Sequence, residues 1–117
     1  MAQRSSFGQR AHPRAPLSGL VRFYEWNHPH DAQAREIGGG GVFLQTDASV
    51  VEGSLLTLRI DLPASRSFTV LGRVVRTVRG GWTRLRHSGL AIQFLDLGAT
   101  DRQAILDYVA RHGARAA

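Results

Sequence analysis

The sequence predicts a mainly β fold, a small antiparallel barrel plugged or flanked by a C-terminal helix. Three observations carry the prediction. Short apolar runs recur at near-regular spacing, separated by turns that hold Gly, Pro and Asp. The clearest run, Leu55 to Leu62, alternates apolar and polar at period two. The last segment alone changes to helical spacing, at Ile105, Tyr108, Val109 and His112. A length of 117 residues suits one compact domain, and 43% hydrophobic against 21% charged residues supports a real core. The expected organisation is a mobile tail over 1–8, one domain over 9–113 and a short tail over 114–117.

Taken in order, Gln9 to Pro16 is an extended or turning arm, because Pro13 biases His12 away from helix. Ser18 to Trp26 reads as the first strand, with Trp26 expected to pack on the barrel. Asn27 to Arg35 reads as a polar connection, and Val42 to Thr46 as the second strand. Asp47 to Gly53 is a turn. In the third strand, Leu56, Leu58, Ile60 and Leu62 face one way while Thr57, Arg59 and Asp61 face the other. Ser67 to Arg79 is a long fourth strand in which Gly72 suggests a bulge or bend. Gly80 to Arg86 connects it to the fifth, Ser88 to Leu95, and Trp82 in that connection is expected to be exposed. Thr100 with Gln103 fits a capping box, and Gly113 is placed to stop the helix.

Charge narrows the partner. The formal net charge is +6, and all 15 cationic residues are arginine. Arginine presents a planar fork suited to phosphate and guanine, and it stacks on flat rings. An anionic partner follows: a nucleotide, a nucleic acid or an acidic protein surface. Nucleic acid ranks last, because no aromatic stacking platform is interleaved with the arginines. There is no cysteine, so disulfides, thiol catalysis and cysteine metal sites are excluded. No run approaches the roughly 20 apolar residues that cross a bilayer, and the N-terminus has no secretory apolar core. A cytoplasmic location is expected. The five histidines are scattered apart from His28 and His30, which gives no metal motif. No nucleophile-base pattern marks an enzyme.

Two segments remain for function. Gln9-Arg10-Ala11-His12-Pro13-Arg14 holds an arginine pair at RxxxR spacing. Glu36-Ile37-Gly38-Gly39-Gly40-Gly41 opens into the apolar Val42-Phe43-Leu44. Glycine lets another group approach the bare backbone, and successive exposed N–H groups can form an anion nest. The two segments are expected to meet around an anionic ligand.

With the ending Gly89-Leu90-Ala91-Ile92-Gln93-Phe94, then Asp96 and a capped helix, this order resembles the PilZ domain over about Gln9 to Val109. The resemblance implies a six-stranded antiparallel barrel with a C-terminal α-helix that binds cyclic di-GMP. Arg10 and Arg14 match the family's RxxxR motif in full. Of its second motif, DxSxxG or NxSxxG, Gly41 matches strictly. Glu36 keeps the carboxylate one methylene farther out, and Gly38 lacks the serine hydroxyl. The resemblance carries over Arg10 and Arg14 as grips on phosphate and guanine, Glu36 as the acceptor at a guanine edge, and Gly38 and Gly41 as the residues the ligand approaches. It also implies a non-enzymatic regulator, of motility or surface polysaccharide for example, that signals through a protein partner. The alternative is an adaptor of the same fold that has lost the nucleotide and acts through protein contacts alone.

Overall fold

Alternating side chains give each strand one apolar face, and the strands close that face inward. The structure is a computed structural model and describes residues 13–80 and 88–113. Its elements are β1 (Arg14–Glu25), β2 (His28–Gly38), β3 (Gly41–Gln45), β4 (Leu55–Asp61), β5 (Ser67–Val78), β6 (Gly89–Phe94) and α1 (Ala99–His112). The strands form a closed antiparallel barrel in the order β1-β2-β3-β6-β5-β4. Closure is made by three residue pairs between β1 and β4: Arg22 with Arg59, Phe23 with Leu58, and Tyr24 with Thr57.

The alternation along β4 is realised as expected, with Leu56, Leu58, Ile60 and the following Leu62 buried. They meet Phe23, Val70, Leu90 and Ile92 from the other strands in one core. Each fully buried aliphatic or aromatic side chain contributes about 1.5–3 kcal/mol. Ile105, Tyr108 and Val109 of α1 join the same cluster. His112, on the expected apolar face, is exposed and lies against the Tyr108 ring at 4.6 Å. No polar or charged residue is buried in the core among the described residues. The core is therefore apolar, and polar recognition belongs to the outer surface.

Three bulges curve the wall. One extra residue is inserted in β1 between Pro16 and Gly19, one in β2 at Arg35, and one in β5 at Val75. Bulges raise local twist and bend a strand, which closure requires. The bend expected at Gly72 thus falls three residues later. Gly72 points inward instead, where a Cβ would stand 2.5 Å from the Ile92 side chain.

Several expectations are corrected. The polar connection over Asn27 to Arg35 is mostly strand β2. Its inward residues are small, Ala32 and Ala34, and its outward ones polar, so it lacks a strong apolar signal. β1 begins at Arg14, so the second half of the arm is already paired strand. The helix is capped at Gly98 with no side-chain cap bond, and Thr100 lies inside it. Gln103 bonds Asp107 rather than the backbone. Gly113 does end the helix, but in extended conformation, with its N–H donating to the Val109 carbonyl at 2.7 Å. The connection through Trp82 lies outside the described residues from position 81 to 87.

Trp26 is the sharpest correction. It does not pack on the barrel. It sits in the tight β1–β2 turn, 89% exposed, at φ 62°. A bulky residue in left-handed conformation is strained by about 1–2 kcal/mol. Trp26→Gly is expected to raise stability by about 0.5–1 kcal/mol, the strain relief less the added freedom of the unfolded chain. Urea unfolding measures it, and a loss of stability would mean that the indole makes contacts that offset the strain.

Candidate functional site

β1 and β2 pair antiparallel so that Arg14 lies opposite Gly38 and Pro16 opposite Glu36. β2 then turns through Gly39-Gly40 into β3, with Gly38 opposite Gly41. This topology brings Arg14, Glu36, Gly38 and Gly41 to one end of the β1–β2–β3 wall. Arg14 Nη1 stands 3.4 Å from Glu36 Oε2. The Arg14 side chain is 16% exposed and that of Glu36 is 43% exposed. An embedded cation beside a solvent-facing carboxylate offers donors and acceptors at the rim of one surface. Arg10 lies outside the described residues.

The glycine run is not a nest. The described glycines with positive φ are Gly19 and Gly53, and none falls in Gly38–Gly41. What the run requires is close approach. A Cβ at Gly41 would stand 2.1 Å from the Ile92 carbonyl oxygen, and one at Gly38 would stand 2.6 Å from the Pro13 carbonyl oxygen. The turn carbonyls are already engaged. Arg102 Nη1 donates to the Gly39 oxygen at 3.1 Å, and the Phe94 N–H donates to the Gly40 oxygen at 2.9 Å.

The helix is the part that the sequence reading missed. Besides Arg102, Leu106 abuts Gly39, where a Cβ would come within 3.2 Å of it. Tyr108 Oη donates to the Pro16 carbonyl at 2.8 Å. Thus α1 holds the arginine-bearing strand and the glycine turn together. A tyrosine on an apolar helical face does signal a buried hydrogen bond. Nothing in the sequence separates Arg102 from the other arginines.

A groove of about 660 Å³ lies elsewhere, between the β4–β5 turn and α1. It is wide open and contains none of the predicted residues. Its Arg66 faces Asp101, with Nε 3.2 Å from Oδ1, although this contact is not aligned as a hydrogen bond. Among the described residues no group of three His, Cys, Asp or Glu could hold a metal ion. No described helix is long and apolar enough to cross a membrane.

The PilZ domain profile matches residues 8–111. The chain belongs to the PilZ domain family. Solved PilZ-type structures share the barrel. Bacillus subtilis inhibitor of motility (MotI/DgrA) superposes with a TM-score of 0.76 at 21% identity, over 94% of this chain and 51% of that one. The PilZ domain of Escherichia coli YcgR, solved with c-di-GMP, gives 0.71 at 11% identity, over 89% and 91%. Borreliella burgdorferi PlzA, in complex with c-di-GMP, gives 0.62 at 13%, over 92% and 41%. The chain thus spans about half the length of the Bacillus chain. No curated protein sequence matches it significantly.

Proposed function

We propose that this PilZ domain is a cyclic di-GMP-responsive regulator that signals through protein contacts and performs no catalysis. The observation that supports the reading is the convergence of Arg14 and Glu36, 3.4 Å apart, beside the Gly38–Gly41 run. A guanidinium can grip guanine O6 and N7 in two parallel bonds or neutralise a phosphate. A carboxylate can accept from the ring N–H and exocyclic amine of guanine. In the free protein these two groups lie within ion-pair distance of each other. Their pair is partly solvated, so opening it costs about 1 kcal/mol or less. Arg10 would supply the second cation. The output is a behaviour such as motility, the process named for the Bacillus relative, or surface polysaccharide, and the proposed location is the cytoplasm.

A second reading rests on Gly38. It carries no hydroxyl, and the space a side chain would use is filled by the Pro13 carbonyl and the Arg14 stem. That favours an adaptor that works without nucleotide. Isothermal titration with cyclic di-GMP, with GTP as control, separates the two. Selective binding at micromolar concentration supports the receptor, and no heat up to millimolar ligand supports the adaptor.

Gly38→Ser tests whether the missing hydroxyl can simply be put back. The new Cβ would meet backbone, not a movable side-chain tip, so the Pro13–Arg14 segment must shift. Overpacking of this kind costs about 1–3 kcal/mol. The expected result is lower stability in urea with no gain in affinity. A tenfold gain at unchanged stability would show that the arm yields freely.

A further inference from the structure

The wall remote from the glycine run carries a second set of features. In the closed strand order, β4 and β5 lie across the barrel from β2 and β3. Register places Tyr24, Thr57 and Leu71 in one outward row over β1, β4 and β5. Leu95 extends that row, its N–H bonded to the Leu71 carbonyl at 2.8 Å. Leu55 stands in the next row, opposite Arg73. Trp26 follows in the β1–β2 turn, two residues beyond Tyr24, the last β1 residue paired with β4. Leu55 is 52% exposed, and Trp26 is almost fully so. This side thus presents exposed aliphatics with a strained, unburied indole at their edge.

Arginines predominate among the charges on the same wall. Arg22 and Arg59 face each other directly across β1 and β4. Like charges in that position destabilise a sheet. Asp31 is committed to Arg22, with Arg22 Nε donating to Oδ1 at 2.8 Å, and that bond holds the Asp31 carboxyl below its usual range. Asp61 lies 4.0 Å from Arg59 Nε and accepts the Ser67 hydroxyl. No carboxylate pairs with Arg73 among the described residues. Leucines left in water and Arg73 without a carboxylate are both satisfied by one kind of occupant, which brings apolar anchors and carboxylates together.

We propose that the outer wall of β1, β4 and β5, with Trp26 at its edge, docks an acidic segment of another protein that carries apolar anchors. A second copy of this chain is disfavoured, since its net charge of +6 would set arginine against arginine. Nucleic acid is disfavoured because a phosphate backbone would leave the exposed Leu55, Leu71 and Leu95 uncovered. A bilayer would meet the protruding Trp26 before the leucines that lie along the wall. The proposal does not depend on nucleotide binding at the Arg14–Glu36 end.

The test uses the full chain, ¹⁵N-labelled, and a short acidic amphipathic peptide with Glu and Leu at helical spacing. Amide shifts are expected around Leu55, Leu71 and Arg73, together with the Trp26 indole. Affinity is expected to fall about tenfold in Arg73→Glu and about thirtyfold in Trp26→Gly. Trp26→Gly should stay folded, so its loss of binding cannot be put down to unfolding. The lysine counterpart of the peptide should not bind. The proposal is overturned by no shifts up to about 1 mM peptide, by shifts confined to other walls, or by equal binding of the lysine peptide. Stronger shifts of the same residues by duplex DNA, by phosphatidylglycerol vesicles or by concentrating the chain alone would overturn it in favour of those occupants.

Discussion

Arg14→Ala is expected to lower affinity for cyclic di-GMP by two decades or more and to leave the barrel folded. The guanidinium sits at the rim of β1 and β2, mostly embedded, 3.4 Å from Glu36. Bound to a guanine edge or a phosphate it would make two charge-assisted hydrogen bonds. Each contributes about 1.5–3 kcal/mol, so their joint loss is about 3–6 kcal/mol, or roughly two to four decades in Kd. The barrel is expected to stay folded, with some stability lost as the packed stem is removed. The backbone at position 14 keeps its pairing with Gly38. The abandoned Glu36 carboxylate already faces solvent, so losing its partner costs about 1 kcal/mol or less. Titration calorimetry on wild type and variant, with urea unfolding of both, reads the two effects separately. Unchanged affinity in a protein that binds would remove Arg14 from the site. A stability loss of several kcal/mol would mean that the residue serves the barrel first. Arg10→Ala is expected to match it in affinity.

Where the apolar faces are strong, the chain declares its own structure. Leu56, Leu58, Ile60 and Leu62 are inward in β4, as alternation requires. β2 was hidden for two physical reasons. Its inward side chains, Ala32 and Ala34, are too small to mark a face. The bulge at Arg35 then breaks the period, so that Ile37 is inward out of step with them. Pro29 looked like a loop signal, yet β2 runs past its last pair with β3, Gln33 with Gln45, so position 29 has a partner strand on one side only. Trp26 read as core from its apolarity, and only the register of the β1–β2 turn reveals that it is outside. At the site, RxxxR and the glycine run were legible as residues, and the fold sets Arg14 of that pair opposite Gly38. The contacts that join them to α1 were not legible. They depend on where the helix lies over the barrel, which no local pattern encodes.

The largest stability effect is expected at Gly41. It is the first residue of β3, buried, and paired with Gly38 on one side and Gln93 on the other. An alanine Cβ there would lie 2.1 Å from the Ile92 carbonyl oxygen, 3.1 Å from its carbon and 3.2 Å from the Gln93 Cα. Every one of those atoms is β6 backbone, so no rotamer change relieves the clash. β3 and β6 would have to part, and the bond from the Phe94 N–H to the Gly40 carbonyl would be drawn out with them. The entropy gained on replacing glycine is about 0.4–1 kcal/mol, too small to offset this. Gly41→Ala should therefore lose about 3–5 kcal/mol, a large share of the 5–15 kcal/mol typical of a domain. Gly72→Ala is the instructive contrast. Its nearest obstacle, the Ile92 Cγ2 at 2.5 Å, is side chain and not backbone, but it belongs to a buried β-branched residue with a stiff χ1, so the loss is expected to be smaller than at Gly41 and still appreciable. Urea unfolding of both variants decides the matter, and a loss below about 1 kcal/mol at Gly41 would contradict the close-packing account. The order of losses also governs how binding data are read. Gly41 is the strict match to the family's second motif, yet the β3–β6 contact alone demands glycine there. Loss of nucleotide binding in Gly41→Ala is thus no proof of a ligand contact unless the variant is first shown to hold its barrel. Arg14 and Glu36, whose side chains lie at the rim and not against the β3–β6 backbone, are where affinity reports the site.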